Sequence, residues 1–350
     1  MNKIKDKLIG RRRKEAGDDN SPARITNQTV AEHREQILAG GRKFKYPVQY
    51  ARHKLVLNTV IISVVVVVLL AVIGWWQLYP AQNTSKFMYR LTQLIPVNVA
   101  QVDGEGVRYS EYLKKYRSSI HFLQQQNNLN LKTADGKRQM QYIKQREMES
   151  VQRDAYAMKL ARQKRINVSN KEVDEFIKRE LDTKKVSLDA FEKTVLRSFY
   201  DWSLDDYRSV VRIELLKRKL EFKLDTGAER DINRISRQLN NGQDFAELAA
   251  AESDDEATKG VGGDSTVLPL DNQDPNGLIA AASELEVGKL SKVIEGTDGY
   301  YIVKLTEKTD RTIRYSLIKV ALDEFDKKFE AVKKAGKIKE YIKIEKQPTS

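Results

Sequence analysis

The residues that could do acid–base, nucleophilic or metal chemistry are few in this sequence of 350 residues, and they are unevenly distributed. Cysteine is absent, which excludes disulfides, thiolate metal sites, iron–sulfur clusters and cysteine nucleophiles. The three histidines are His33, His53 and His121, so the chain after His121 must work without an imidazole. We expect no metal, nucleotide or redox cofactor, and we expect His121 to be a structural residue.

The acidic segment of residues 227–310 contains the most ordered set of short motifs. It carries 17 acidic and 8 basic residues, although the whole chain has a net charge of +13. Its motifs, in chain order, are Asp244–Ala249 (DFAELA), Ser253–Asp255 (SDD), Gly262–Asp264 (GGD), Gly288–Val293 (GKLSKV) and Gly299–Val303 (GYYIV). A phosphate loop at Gly260–Gly263 is the alternative interpretation of the glycines. It is disfavoured because the segment is acidic and neither a basic residue nor a helix follows the glycines.

This order of motifs resembles a parvulin-type prolyl isomerase domain. The resemblance implies a small antiparallel sheet flanked by helices, with a site that promotes cis/trans exchange of prolyl bonds. It places Asp255 at the position of a family Asp or Cys, and Tyr301 at the position of the histidine on the last strand. It also places Leu278 where the family usually has a phenylalanine of the proline pocket.

The sequence departs from this family at the histidines. The family site has two histidines facing each other across the sheet, and the acidic segment has none. Prolyl isomerisation has a barrier of about 18–20 kcal/mol but needs no covalent intermediate, so a hydrogen bond from Tyr301 could retain some activity. We therefore expect a weak or inactive isomerase, with Asp255 and Tyr301 as the catalytic candidates. Such a domain would still bind extended, proline-containing or apolar segments.

The segment Thr312–Val320 (TIRYSLIKV) predicts a strand. It resembles the family's opening strand, R-x-x-H-I-L-V, and we assign Ser316 to the histidine position and, with Leu278, to substrate binding. Residues 211–224, which precede the acidic segment, favour a continuous helix. We therefore hypothesise that the missing first strand is supplied from the C-terminal side, with an extra hairpin or linker strand as the alternative.

The rest of the C-terminal segment, residues 311–350, is basic. The stretch Leu322–Ile342 predicts an exposed, lysine-rich amphipathic helix that carries Phe325, Phe329 and Val332. The whole segment could complete either the parvulin-like sheet or the helical domain that precedes it.

Residues 79–226 predict a domain of long amphipathic helices. The stretch Val97–Val107 (VNVAQVDGEGV) alternates and then turns. A helical stripe with spacings of 4, 3, 4 and 3 follows at Tyr109, Leu113, Tyr116, Ile120 and Leu123. Further helices are predicted over Lys137–Arg165 and after Ser169, Ser187 and Ser203. The strand, the turn and the long helices together resemble the N-terminal chaperone region of the SurA/PrsA family, which implies binding of unfolded polypeptides.

The run Leu55–Leu78 has no ionisable residue and predicts a transmembrane helix. As an α-helix its 24 residues would rise about 36 Å, which is enough to cross a bilayer. A buried strand or core helix is the alternative, but soluble strands rarely exceed about ten residues. Trp75, Trp76 and Tyr79 form an aromatic belt at one end.

The distribution of charge predicts how this helix is oriented. Residues 1–54 carry 14 Lys/Arg and 6 Asp/Glu, whereas residues 79–100 carry only Lys86 and Arg90 as cations. The positive-inside rule then places the N-terminal tail in the cytoplasm and everything after Tyr79 outside. A cleaved signal peptide is disfavoured, because the basic region is too long and no small-x-small site follows the apolar run.

The sequence as a whole predicts an α+β protein with a transmembrane helix, a long-helix chaperone domain over 79–226 and a parvulin-like domain over 227–310. The predicted function is that of a membrane-anchored extracytoplasmic folding factor, with unfolded or newly secreted polypeptides as its partners. A non-catalytic envelope scaffold that tethers partners through both modules is the alternative. The cluster Arg11–Lys14 is interpreted as a topology determinant, with binding of nucleic acid or acidic lipid head groups as the alternative, and no specific nucleic acid partner is expected.

Overall fold

The computed structural model describes residues 26–45, 47–127, 130–272 and 274–345. The cluster Arg11–Lys14 lies outside these residues. The chain divides into two compact units, Met1–Gly74 and Trp75–Ser350.

Two helices make up the described part of the first unit. Helix α1 is Asn27–Lys45, and helix α2 is Pro47–Leu78, whose last turn belongs to the second unit. Among the described residues, Lys54–Leu78 is the one stretch that is long and apolar enough to cross a membrane. Length and composition alone support that span, so the transmembrane helix stays a prediction.

The second unit begins with a helical domain, in which three helices start at the serine caps that the sequence predicts, Ser169, Ser187 and Ser203. Its elements are α3 Lys86–Leu94, β1 Asn98–Val102, β2 Glu105–Arg108, α4 Tyr109–Asn127, α5 Ala134–Gln163, α6 Asn170–Thr183, α7 Leu188–Phe191, a π-helix Glu192–Tyr200, and α8 Leu204–Leu224. Ser169 and Ser203 accept hydrogen bonds from the amides of Glu172 and Asp206, whose carboxylates accept from the cap amides in return. These reciprocal capping boxes fix where α6 and α8 begin.

A sheet domain follows, with helices on both faces of an antiparallel sheet. Its elements are α9 Thr226–Asn240, α10 Phe245–Glu252, β3 Leu268–Pro269, α11 Leu278–Ser283, β4 Ile294–Glu295, β5 Gly299–Lys308 and β6 Thr312–Ala321. The strand order is β3-β6-β5-β4. Successive residues of a strand point to opposite faces, so Ile302 packs with α9 and α10, whereas Val303 packs with α11.

Strand β6 lies in the middle of this sheet. It pairs with β5 from Gly299 opposite Ala321 to Lys308 opposite Ile313, and it pairs with β3 on its other edge. The residues before α9 belong to the continuous helix α8. The sheet therefore takes this strand from the C-terminal side, as we hypothesised from the sequence.

The chain then returns to the helical domain. Helix α12, Glu324–Lys334, buries Phe329 beside Tyr156 of α5. Strand β7, Ile338–Glu340, pairs with β1 and completes a second sheet of order β2-β1-β7. This corrects the prediction of one exposed helix over Leu322–Ile342. The lysines do face solvent, but the apolar stripe between them belongs to a core made by residues far away in sequence.

Asp225 links the two points where the chain passes between the domains. Its carboxylate accepts hydrogen bonds from the amides of Ala228 (2.9 Å) in α9 and of Asp323 (2.9 Å) and Glu324 (3.1 Å) at the start of α12. Burial alone would raise the pKa of Asp225, but these hydrogen bonds outweigh it and hold the pKa below its usual value. Both crossings are thus held by one carboxylate.

The α+β class predicted from the sequence is confirmed. Helices and antiparallel sheets are both present in the described residues, and the long helices precede the four-stranded sheet.

Candidate functional site

One face of the sheet domain brings together three of the four residues that the sequence predicts for the site. Tyr301 on β5 and Leu278 at the start of α11 belong to the same buried apolar cluster as Leu317 on β6. Asp274 positions Leu278, because its carboxylate accepts hydrogen bonds from the first amides of α11, including that of Leu278 at 2.7 Å. Asp255 is the third predicted residue, and its charge acts on Tyr301.

The hydroxyl of Tyr301 is fully engaged by its neighbours. It donates to Asp298 Oδ1 at 2.7 Å and accepts from Asn276 Nδ2 at 3.2 Å. Tyr301 is only 4% exposed. Burial first, and then the hydrogen bond to the Asp298 carboxylate, raise the pKa of Tyr301 far above its usual value. The side chain is therefore a neutral phenol at any physiological pH. Its only O–H group already donates a hydrogen bond to Asp298.

Lys319 holds Asp298 in place beside the tyrosine. Its ammonium lies 2.6 Å from Asp298 Oδ2 and 5.8 Å from the centre of the Tyr301 ring. Burial would raise the pKa of Asp298, but the hydrogen bonds from Lys319 and Tyr301 outweigh it, so the pKa is lowered. The carboxylate of Asp298 consequently remains ionised and continues to accept the hydrogen bond from the Tyr301 hydroxyl.

Asp255 acts on Tyr301 through its charge, but its carboxylate is occupied by a turn. Its Oδ2 accepts hydrogen bonds from the amide of Thr258, at 3.1 Å, and from the hydroxyl of the same residue. Its negative charge contributes to the raised pKa of Tyr301, and to that of Tyr315, which rises to about 12 mainly through burial. Asp255 is therefore an electrostatic neighbour of the tyrosines with a role in the turn.

The structure does not bring Ser316 to this site, which corrects the sequence prediction. Tyr301 pairs with Lys319, whereas Ser316 pairs with Lys304, so Ser316 and Tyr301 point to opposite faces of the sheet. Leu317 is the residue that joins Tyr301 in the cluster. The pattern R-x-x-H, counted from Arg314, also ends at Leu317, and this count is the signal that would have identified it.

The chemistry available on this face follows from these contacts. The phenol and the carboxylates are hydrogen-bonded within the protein, and the residues between them, Leu278, Val303 and Leu317, offer only apolar contact. Among the described residues no group of three or more His, Asp or Glu is arranged to hold a metal ion. Leu278, Val303 and Leu317 are themselves buried, so this face is a closed apolar cluster, and the hydroxyl and carboxylates beside it are already hydrogen-bonded.

A separate cleft of about 690 Å³ lies in the helical domain between α3, α4, the π-helix and α8. Asp201 has a left-handed backbone there (φ 52°) and forms ion pairs with Lys86 at 2.9 Å and Arg117 at 3.2 Å. These pairs hold the end of the π-helix against α3 and α4. The sequence did not predict this cleft, because its walls come from four elements that are distant in sequence.

An aromatic stack separates this cleft from a neighbouring one of about 370 Å³. Phe122 stacks on Tyr200 with ring centres 5.6 Å apart, and Tyr200 stacks on Trp202 at 5.1 Å. The indole Nε1 of Trp202 is buried, and it has no hydrogen-bond partner among the described residues. His121 Nε2 lies 2.9 Å from the carbonyl oxygen of Ser198. His121 thus holds α4 against the π-helix, as the expected structural role requires.

Comparison with known proteins identifies both domains. A family model described as a SurA-like N-terminal domain matches residues 49–221, and a model described as a PPIC-type PPIASE domain matches residues 219–307. The chain joins a SurA-like domain to a PPIASE domain. The PPIASE match ends before β6, and the SurA-like match ends before α12 and β7. The residues that complete both domains in this structure thus lie outside the two matched ranges.

Relatives of the chain are named foldases. Foldase protein PrsA of Caldanaerobacter subterraneus is 26% identical over 269 residues, which cover 69% of this chain and 87% of that protein. Foldase protein PrsA 4 of Bacillus cereus is 37% identical over 86 residues, which cover 23% of this chain and 29% of that protein. Foldase protein PrsA of Streptococcus pneumoniae is 32% identical over 139 residues, which cover 38% of this chain and 41% of that protein.

Solved structures of similar proteins include a peptidylprolyl isomerase and a SurA-like chaperone. Peptidylprolyl isomerase PrsA from Bacillus anthracis is 19% identical, with a TM-score of 0.19, over 52% of this chain and 85% of that chain. The structure of a SurA-like chaperone of Campylobacter jejuni is 16% identical, with a TM-score of 0.24, over 69% of this chain and 91% of that chain.

Proposed function

We propose that this protein is a membrane-anchored folding factor that binds unfolded, newly secreted polypeptides and isomerises prolyl bonds weakly or not at all. The relatives named foldases support this class of client. The observation that carries the catalytic part of the proposal is the engagement of the Tyr301 hydroxyl by both Asp298 and Asn276.

Weak catalysis follows from the polar groups of the PPIASE domain. Rotation of a prolyl amide is accelerated when preorganised polar groups stabilise the twisted bond in a desolvated site. Tyr301 would have to give up its bond to Asp298 to contact a substrate, and Asp255 would have to release Thr258. Leu317 supplies no polar atom. What remains on this face is a buried apolar cluster, which cannot stabilise the twisted amide as preorganised polar groups would.

Client binding by the SurA-like domain is supported by the smaller cleft, which Phe122, Tyr200 and Trp202 line. The stacked rings of Phe122, Tyr200 and Trp202 combine apolar area with a buried N–H that has no partner among the described residues. Surfaces that rely on apolar burial with few fixed polar contacts bind broadly. This is the behaviour that a factor acting on many unfolded chains requires.

The membrane part of the proposal places α2 across the bilayer, with the N-terminal tail in the cytoplasm and the two domains outside. The excess of Lys and Arg in residues 1–54 supports that orientation. Both domains would then work next to the membrane from which secreted clients emerge.

The catalytic part is tested with the full-length protein in lipid nanodiscs. Cis/trans exchange of a proline peptide is measured with the wild type and with Tyr301→Phe. We expect little or no acceleration from either protein, because the hydroxyl removed by the substitution is not free in the wild type. A strong acceleration by the wild type that Tyr301→Phe abolishes would contradict the proposal.

The chaperone part is tested by suppression of aggregation of an unfolded client. We expect Phe122→Ala to weaken suppression several-fold, because it removes one ring of the stack between the clefts. Tyr142→Ala is the matched control, since Tyr142 is an exposed aromatic residue of the same domain outside both clefts. If the wild type neither suppresses aggregation nor isomerises peptides, the alternative of an envelope scaffold replaces this proposal.

A further inference from the structure

Helix α3 exposes large apolar side chains just beyond the end of the apolar helix α2. Phe87 is 71% exposed, Leu94 is 83% exposed and Ile95, at the C-cap, is 53% exposed. Phe87 and Leu94 are seven residues apart, so they lie on the same face of α3. The other side of the helix is anchored in the domain through Met88 and Thr92, which are buried. The helix is thus fixed to the protein on one side and apolar on its free side.

A tight connection joins the last turn of α2 to α3 and keeps these two segments close. The amide of Asn83 donates to the carbonyl oxygen of Gln77 at 2.8 Å, and its side-chain Nδ2 donates to Gln77 Oε1 at 2.9 Å. Ser85, the N-cap of α3, follows two residues later and is itself bonded to Asn83 Oδ1. Since three residues span at most about 10 Å, α3 begins within about that distance of the last turn of α2.

This last turn is held rigidly in the helical domain. Leu78 is part of the buried core, and the hydroxyl of Tyr109 donates to its carbonyl oxygen at 2.6 Å. Trp75 and Trp76 of the same turn are exposed. Tryptophans at the end of an apolar helix are typical of the boundary between lipid and water. The exposed face of α3 therefore belongs to the same rigid unit as these boundary residues.

We propose that α3 is an interfacial helix that inserts Phe87, Leu94 and Ile95 into the leaflet at the Leu78 end of the span. This inference rests on the proposed membrane anchor. The occupant of the apolar face is the bilayer, since α3 lies close to the last turn of α2, which carries the exposed Trp75 and Trp76. The exposed cations Lys86 and Arg90 flank it, as in helices that lie on anionic lipid surfaces. The SurA-like domain is then held against the membrane at two places.

The absence of cysteine permits a direct test with single-cysteine variants of the full-length protein. Leu94→Cys is labelled with an environment-sensitive fluorophore and reconstituted in vesicles of phosphatidylcholine and phosphatidylglycerol. Val267→Cys, at an exposed apolar residue of the sheet domain, is the matched control. Val66→Cys, in the middle of the apolar stretch, reports insertion of the span.

We expect brominated lipids to quench the label at residue 94 several-fold more than the label at residue 267. If residue 66 is quenched but residue 94 behaves like residue 267, the interfacial helix is refuted while the anchor stands. If residue 66 is not quenched, the anchor fails and the inference fails with it. An emission shift at residue 94 in vesicles without quenching by brominated lipid would show that the label is buried against protein, and would also overturn the inference.

Discussion

Single residues decide what the PPIASE domain can do. Tyr301 has the size and polarity to replace a catalytic group, yet its hydroxyl is committed to Asp298 and Asn276. A hydrogen bond to a charged acceptor contributes about 1.5–3 kcal/mol, so a substrate would compete poorly for this phenol. Tyr301 is thus the centre of a hydrogen-bond network that includes Asn276, Asp298 and, through Asp298, Lys319.

Gly263 is a residue whose backbone fits only glycine. Its φ is +85°, and a Cβ there would lie 2.4 Å from the carbonyl oxygen of Leu317 in β6. We expect Gly263→Ala to lower the free energy of unfolding by more than the roughly 1–2 kcal/mol that a left-handed conformation costs by itself.

Gly260→Ala is the matched control, because a Cβ at Gly260 meets nothing within 4 Å. Chemical unfolding of both full-length variants in mild detergent checks the prediction. Equal unfolding midpoints for the two variants would show that the contact between this loop and β6 is not tight.

At the scale of elements, α12 is the helix whose observed role differs most from the role predicted from the sequence. Its lysines predict an exposed helix, but its apolar side chains complete the core of a domain that starts more than two hundred residues earlier. Phe329 is fully buried, stacks with Phe325, and lies under the guanidinium of Arg153 at 5.2 Å. The helix is therefore a structural part of the SurA-like domain.

We expect Phe329→Ala to destabilise the SurA-like domain by about 3–5 kcal/mol, as for other buried phenylalanines. The exposed Lys334→Ala in the same helix should change stability by less than about 0.5 kcal/mol. Hydrogen exchange locates the effect: protection should fall in α4 and α5. A loss of protection confined to the sheet domain would contradict the assignment of α12.

The elements that depend on local signals were predictable from the sequence, and those that depend on distant contacts were not. The serine caps at Ser169 and Ser203 fixed two helix starts, because each signal lies within four residues. Ser316 was placed on the wrong face of β6, because a shift of one residue in a strand reverses its side chains. The partners of Tyr301, Asn276 and Asp298, come from loops, for which periodicity carries no information.

At the scale of the whole molecule, the chain passes between its two domains twice, and Asp225 holds both passages together. Its carboxylate accepts from the amides of α9 and of the start of α12. Phe222 of α8 also packs edge-on against Tyr300 of β5, with ring centres 5.0 Å apart. The relation between the domains therefore depends on a few polar and aromatic contacts around residue 225.

We expect Asp225→Asn to lower the free energy of unfolding at pH 7 by about 1–3 kcal/mol, because hydrogen bonds to a charged group are weakened. The pKa of Asp225 is lowered in the folded protein. Its contribution is therefore complete above the unfolded value of about 3.9 and is lost as the pH falls through the lower folded value.

Unfolding of Asp225→Asn and the wild type at a series of pH values checks this expectation. The difference between them should shrink below about pH 4. The control is Asp182→Asn, whose side chain is 66% exposed in a surface pair with Lys178, since such pairs contribute little. A difference between Asp225→Asn and the wild type that does not change with pH would show that the charge of Asp225 is not what matters.

The return of α12 and β7 to the first domain has a consequence for biosynthesis. A chain is made from its N-terminus, and a domain usually folds once its own residues have emerged. Here the core of the SurA-like domain is incomplete until Phe329 and Ile342 have been synthesised. The middle strand β1 likewise has one unpaired edge until β7 has been synthesised. A polypeptide released early, even one that has already made its PPIASE sheet, would carry an open and unfinished first domain. The first domain is thus complete only after residue 342 has been made, and a product that lacks this segment would be more exposed to proteases.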